Sequence, residues 1–160
     1  MLKFKTIFFL LSLFSASCYS QDCSKAHNWP ECDNSYNSSY ELYQQPRMTT
    51  IGVNDKMGFN IVFYGNKDFI ISVCADQKYY PLSIKFINPA TGKVLYNNVL
   101  DEYREIITMR FDNTQNVILL TSLMADKHDK ERLLSSEKAC VGVIVQWKDV
   151  VQKKQQKIAR

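Results

Sequence analysis

The sequence predicts an all-β protein: an antiparallel two-sheet sandwich of jelly-roll-like architecture, with six to eight strands and a disulfide-pinned N-terminal segment. Three observations support this prediction. Apolar residues recur at every second position, short turn sequences separate the apolar runs, and an even number of cysteines follows an export signal. One sheet alone would leave an apolar face in water, whereas two packed sheets bury both such faces.

Residues 1–20 have the three parts of a secretory signal peptide. Lys3 and Lys5 form a basic head, residues 7–14 form an apolar run, and residues 15–17 are small. The apolar run is well short of the ~20 residues that span a bilayer, so we expect cleavage and not a membrane anchor. The predicted location is the periplasm or the extracellular space.

Two cleavage sites compete at the end of this leader. Cleavage after Ser20 would leave a soluble protein that begins at Gln21, whereas cleavage before Cys18 would give a lipidated bacterial outer-membrane protein. Residues 15–18 resemble a lipobox, but Ser15 stands where that motif has leucine. We therefore expect soluble export, with lipidation at Cys18 as the alternative.

Four cysteines follow the leader: Cys23, Cys32, Cys74 and Cys140. In an oxidising compartment, four cysteines in a small domain most simply form two disulfides. Four cysteines can pair in three ways, and their even number does not decide between these pairings. We expect Cys23 to bond Cys32 in a short local loop and Cys74 to bond Cys140 between distant strands.

A zinc site is the alternative for the first cysteines, because His27 lies between Cys23 and Cys32 and His128 would add a ligand. The spacing C-x3-H-x4-C is not a compact knuckle, and exported thiolates tend to be oxidised. The prediction is therefore that no metal is bound.

Removing the leader from the 160 residues leaves 140, enough for one domain. We divide them into an irregular segment at 21–47, a β-sandwich at 48–148 and a basic, poorly ordered tail at 149–160. Without the two leader lysines, 18 basic residues stand against 16 acidic ones, so the mature chain is nearly neutral. Nucleic-acid binding has no support beyond the tail.

Apolar and polar side chains alternate through four runs of the sandwich domain, which is typical of half-buried strands. Residues 69–75 and 117–124 are apolar on both faces, which suits central strands. In chain order, the alternating apolar sets are Phe59, Ile61 and Phe63; Leu82, Ile84 and Phe86; Ile107, Met109 and Phe111; and Val141, Val143, Val145 and Trp147.

Turn sequences lie between these runs. Residues 65–68 (GNKD), 88–93 (NPATGK) and 112–115 (DNTQ) are rich in turn-forming residues, and we expect each to connect a hairpin. Residues 125–138 are a charged insertion, in which we expect a turn or two of helix before the last strand.

Four segments of the chain, in their order, resemble a class of small exported proteins. The segments are GFNIVFYGNKDFIISVCAD, PLSIKFINPATGKVLYNN, EIITMRFDNTQNVILLTSL and ACVGVIVQW. This class comprises the β-sandwich proteins of Gram-negative bacteria that are related in pattern to pre-peptidase C-terminal domains. The resemblance runs through most of the sandwich domain and contains no catalytic motif. It implies a jelly-roll-like sandwich with an accessory, non-enzymatic role.

A catalytic site has little support in the sequence. Histidine is the usual general base, but His27 lies in a cysteine-bounded loop and His128 in the charged insertion. Asp101 and Glu102 are adjacent, which is typical of a solvated turn and not of a glycosidase pair. With no phosphate-binding glycine loop either, we predict neither catalysis nor a cofactor. A small secreted hydrolase that uses one of the histidines is the alternative.

Aromatic residues are the candidate binding surface. Exposed rings stack on sugars or anchor a protein partner. The competing interpretation is that these rings pack against the sandwich. We predict a non-enzymatic binding or accessory module at the bacterial cell envelope, with a protein or glycan partner. The candidate residues are Trp29, Tyr36, Tyr40, Tyr43, Tyr79 and Tyr80.

Overall fold

The computed structural model describes Cys23, Ser24, Cys32 and residues 37–53, 55–123 and 137–150. In this part of the chain, no helix has the length and apolar character that a membrane crossing needs. Several predicted features lie outside the described residues: the signal peptide with Cys18, both histidines, Trp29, Tyr36, nearly all of the charged insertion and residues 151–160 of the tail.

The described residues form nine strands in two antiparallel sheets, which confirms the predicted all-β sandwich. The count exceeds the prediction by one, because a two-residue strand lies in the segment predicted to be irregular. The strands are β1 (Glu41–Leu42), β2 (Arg47–Gly52), β3 (Met57–Phe63), β4 (Lys67–Ala75), β5 (Ser83–Ile87), β6 (Val94–Asn97), β7 (Ile106–Phe111), β8 (Gln115–Ser122) and β9 (Lys138–Asp149).

Sheet A contains β1, β2, β9, β4 and β7. Strands β1 and β2 follow one another along one side of β9, and β4 and then β7 lie on its other side. Sheet B has the order β3–β8–β5–β6. Apart from β1–β2 and β5–β6, consecutive strands therefore belong to opposite sheets.

This connectivity shows that two of the three predicted hairpins are wrong. Residues 88–93 do connect a hairpin, β5 to β6, in which the Asn88 N–H donates to the Lys93 carbonyl at 2.9 Å. Residues 65–68 and 112–115 instead lead from one sheet to the other, because β3 pairs with β8 and β4 with β7. Turn composition predicts where a chain reverses, but it does not specify which sheet the next strand joins.

Aromatic side chains fill one end of the core between the sheets. Phe63 stacks on Phe111 with ring centroids 4.6 Å apart, and it meets Phe69 edge-on at 4.8 Å. In β3 the buried residues are Phe59, Ile61 and Phe63, with exposed residues between them, as the alternation predicts.

The central strands of sheet A are buried on both faces. Residues 69–75 of β4 are buried throughout, as predicted. Residues 139–146 of β9 are also buried, although their alternation predicts a half-buried strand. Part of the N-terminal segment lies on the outer face of this sheet: the buried Gln146 accepts from the Asn37 N–H at 3.1 Å and donates to its carbonyl at 3.3 Å.

Two disulfides fasten the N-terminal segment to this outer face. Cys23 is bonded to Cys140 and Cys32 to Cys74, each with a Cα–Cα distance of 5.4 Å. The predicted pairing of Cys23 with Cys32 and of Cys74 with Cys140 is therefore wrong, and both thiols of the zinc alternative are oxidised. Two disulfides indicate an oxidising compartment and hence an exported protein.

Candidate functional site

Four of the six predicted aromatic residues lie in the described part of the chain, and each is engaged with the sandwich. Tyr79 is 2% exposed and its hydroxyl donates to the Lys138 carbonyl at 3.0 Å. The Tyr80 hydroxyl oxygen accepts from the Ala75 N–H at 3.1 Å. A ring buried like that of Tyr79 has no free face for a ligand, so its predicted exposure is wrong.

The other two tyrosines belong to the N-terminal segment. Tyr43 packs edge-on against Phe69, with centroids 5.1 Å apart, and its hydroxyl donates to the Val62 carbonyl. Burial raises the pKa of this hydroxyl above its ordinary value. Tyr40 lies beneath Lys148, whose Nζ is 4.3 Å from the ring centroid. These contacts agree with the packing interpretation, and a ligand-binding role for the tyrosines stays a prediction.

A different feature stands out in the loop between β6 and β7. The β6–β7 loop, residues 98–105, carries Leu100, which is 86% exposed and is the most exposed large apolar side chain in the described part of the chain. Val99 beside it is also exposed. Residues Asn98–Leu100 form one 3-10 turn, capped by Asn97, whose Oδ1 accepts from the Val99 N–H at 3.3 Å. The turn therefore places an apolar tip in water.

Asn98 anchors this loop in the protein interior. Its side chain is fully buried, and its Oδ1 accepts from the Ile84 N–H at 2.7 Å. Its Nδ2 donates to the Leu82 carbonyl at 2.8 Å and to the Arg104 carbonyl at 3.1 Å. One buried amide thus ties the beginning and the end of the loop to the chain at β5. Because a buried amide is costly to leave unpaired, these bonds hold the loop in a single arrangement.

Two residues of the loop have left-handed backbone conformations. Glu102 has φ of 52° and Tyr103 has φ of 57°, and neither is glycine. Such residues cost free energy, and they persist where surrounding contacts impose the conformation, often at binding sites. Here the Asn98 carbonyl imposes it, since it accepts from the N–H groups of Asp101 at 2.9 Å and of Tyr103 at 2.8 Å.

Asp101 braces the same loop from its outer side. The Tyr96 hydroxyl donates to Asp101 Oδ2 at 2.9 Å, and Arg104 Nε lies 3.3 Å from Asp101 Oδ1. Burial and the hydrogen bond to this carboxylate raise the pKa of Tyr96 to about 12. At the end of the loop, burial raises the pKa of the Glu105 carboxyl. Asp101 therefore has a structural role. Its side chain is partly exposed, as expected for a solvated turn, and these contacts brace that turn.

The sequence interpretation did not single out Asn98 or Leu100. The signal that could have found them is NNVLDEY at residues 97–103, where two adjacent apolar residues interrupt a run of polar turn formers. An apolar pair at such a place is not needed for a turn. Such a pair indicates that the two side chains are either buried in the core or exposed for contact with a partner, and only the fold distinguishes these cases.

No family model and no curated protein matches this chain. Among solved structures, the chain is similar to the crystal structure of PliG from Aeromonas hydrophila, a periplasmic lysozyme inhibitor of g-type lysozyme. The sequence identity is 8% and the TM-score is 0.48, and the match covers 71% of this chain and 91% of that chain. No family match supports the resemblance to pre-peptidase C-terminal domains.

Proposed function

We propose that this chain is a non-enzymatic, exported binding module whose β6–β7 loop docks into an apolar recess on a partner protein. The observation that supports this is Leu100, which is 86% exposed on a backbone that the buried Asn98 holds from within. Burying a leucine side chain contributes about 1.5–3 kcal/mol. A loop that is already ordered loses little conformational entropy on binding, so most of that contribution remains.

A protein partner fits this tip better than a glycan does. Recognition of sugars relies on flat aromatic faces that are open to solvent, whereas the most exposed side chain of this loop, Leu100, is aliphatic. A branched aliphatic side chain at the end of a rigid loop instead fits a concave apolar pocket, as the central residues of protein interfaces do.

We also propose that the module has no enzymatic activity. Asp101, the carboxylate next to the tip, is bonded to Tyr96 and Arg104. A carboxylate committed to two structural partners is poorly placed to transfer protons to a substrate. We also propose that the module is released as a soluble protein, while lipidation at Cys18 would tether the same loop to a membrane.

The test is a photo-crosslinker placed at position 100 of the exported protein, with a matched control at position 62. Val62 is also exposed and apolar, but it lies on β3, at the other side of sheet B. We expect position 100, and not position 62, to crosslink one envelope protein. Equal labelling from both positions would argue against the loop as the binding site.

The crosslinked protein is then purified and titrated with the wild type, Leu100→Ser and Val62→Ser. Leu100→Ser should weaken binding roughly 10- to 100-fold, from the free energy of burying leucine. Its melting temperature should not change, because the side chain is in water. Unchanged affinity of Leu100→Ser would overturn the proposal.

A further inference from the structure

Three of the four sheet edges in the described part of the chain are modified in ways that discourage further strand pairing. An edge strand presents unpaired N–H and C=O groups, and folded proteins usually cover or interrupt them. On β3, the outward carbonyls of Val62 and Asn60 accept hydrogen bonds from Tyr43 and Arg47. These side chains close that edge.

Two more edges are short or broken. Strands β1 and β2 are separated by four residues that include Pro46, which has no N–H to donate. Strand β6 has four residues, and its register with β5 shifts next to Ile87. The four-residue gap interrupts the first edge, although β2 itself pairs with β9 over six residues without a register shift. Strand β6 is too short to offer a long ladder to a further strand.

The remaining edge, β7, is regular and open. It pairs with β4 without a bulge, and the Val73 N–H donates to the Glu105 carbonyl at 3.0 Å, in line with that register. Alternate residues of an antiparallel strand point their backbone groups to opposite sides. The backbone groups of Ile106, Thr108 and Arg110 therefore point away from β4, and no hydrogen bond among the described residues uses them.

The side chains on this edge are self-complementary. If two copies of β7 lie antiparallel with Thr108 opposite Thr108, then Ile106 of each copy lies opposite Arg110 of the other. All three opposed pairs can exchange both backbone hydrogen bonds, and threonine pairs are favourable neighbours across strands. Arg110 brings no unbalanced charge, because its Nε and Nη2 contact Asp68 at 2.6 Å and 3.1 Å.

The two other registers that place one of these three residues opposite itself are less favourable. Centring the pair on Arg110 would place two guanidinium groups opposite each other, and like charges in opposed positions are destabilising. Centring it on Ile106 would place residues of the β6–β7 loop opposite Thr108 and Arg110, where Glu102 and Tyr103 have left-handed and not extended backbone. We propose that a second copy of this chain adds to β7 in the Thr108-centred register, joining two copies of sheet A into one continuous sheet.

Cysteine crosslinking tests the register. In the proposed dimer the two Thr108 Cα atoms are about 5.5 Å apart, within the range of a disulfide. The two Ile106 Cα atoms are offset by four residues, about 14 Å along the strands. Under mild oxidation Thr108→Cys should give a covalent dimer on a non-reducing gel, and Ile106→Cys should not. No dimer from Thr108→Cys, or equal dimer from both variants, would overturn the proposal.

Introducing a positive or a negative charge at position 106 tests the contact between Ile106 and Arg110. Ile106 is 49% exposed, so a charged residue there should not prevent folding. Ile106→Lys should weaken self-association about 2- to 5-fold for each of its two contacts, and Ile106→Glu should preserve or strengthen it. Sedimentation equilibrium over a range of concentrations measures both. A wild-type protein that stays monomeric, or equal effects of the two charged substitutions, would contradict the proposal. Leu100→Ser is the control, because Leu100 lies outside β7, and it should leave self-association unchanged.

Discussion

Cys74 and Cys140 lie on neighbouring strands and face the same side of sheet A, yet each is bonded to a cysteine from the N-terminal segment. Because Cys74 lies opposite Gly142, the two cysteines are two residues out of register. The disulfides therefore do not staple the sheet to itself. They attach the N-terminal segment to the outer face of β4 and β9, where Ile144 and Gln146 are buried.

This arrangement predicts a large and unequal loss of stability when each disulfide is removed. Replacing both Cys23 and Cys140 by alanine should lower the free energy of unfolding by about 5 kcal/mol, since the bridge spans 117 residues. Replacing Cys32 and Cys74 should cost about 4 kcal/mol, for a separation of 42 residues. Urea denaturation measures both values. Peptide mapping without reduction should recover Cys23 linked to Cys140, and a peptide linking Cys23 to Cys32 would contradict the structure.

The Cys32–Cys74 disulfide and Met48 leave little room for a side chain at Gly142. A Cβ at this position would lie 2.7 Å from Met48 Sδ and 2.8 Å from Cys74 Sγ, and the disulfide prevents the cysteine from moving away. Gly142→Ala should therefore destabilise the protein by about 1–3 kcal/mol, as overpacking usually does. The comparison is Gly58→Ala on β3, where the nearest atom to a new Cβ is Ile118 Cγ2 at 3.5 Å, an ordinary contact. Gly58→Ala should be neutral or slightly stabilising, and equal destabilisation by the two changes would contradict this explanation.

The buried amide of Asn98 predicts a coupled loss of stability and binding. Asn98→Ala leaves the Ile84 N–H and the Leu82 carbonyl without this partner in the interior, which should cost about 2–4 kcal/mol in the free energy of unfolding. Asn97→Ala is the matched control, because it removes one exposed capping bond and should cost about 1 kcal/mol or less. Titration of the partner protein should show weaker binding for Asn98→Ala even where the variant is fully folded.

Tyr96 predicts a specific dependence of stability on alkaline pH. Its pKa is about 12 in the folded protein, and its ordinary value is 10.0. Between these pH values the folded protein keeps the Tyr96 proton while the unfolded chain releases it. The contribution of Tyr96 to the free energy of unfolding is therefore complete below pH 10 and is lost as the pH rises toward 12. Urea unfolding at several alkaline pH values should show this decline in the wild type and a smaller one in Tyr96→Phe. The difference in tyrosinate absorbance between the two proteins should have its midpoint near pH 12, and a midpoint near 10 would contradict the hydrogen bond between Tyr96 and Asp101.

The alternation in β3 and the doubly apolar run in β4 were predictable because side-chain burial in a strand depends on local sequence. Phe59, Ile61 and Phe63 are buried as expected, and so are residues 69–75. The NPATGK hairpin was also predictable, since a tight turn is specified by its own residues. The two inter-sheet turns and the loop around Asn98 were not, because their roles depend on strands that are distant in the sequence.

Local sequence patterns are enough to predict the class of the fold, the positions of most strands and the number of cysteines available for disulfides. Period-two alternation and turn chemistry act over a few residues, so they can be read without the fold. The pairing of the cysteines, the burial of the tyrosines and the exposure of apolar side chains such as Leu100 follow only from the way the two sheets assemble. Each of these depends on what packs across the sheets, as Cys74 beside Gly142 and Leu100 above the buried Asn98 show.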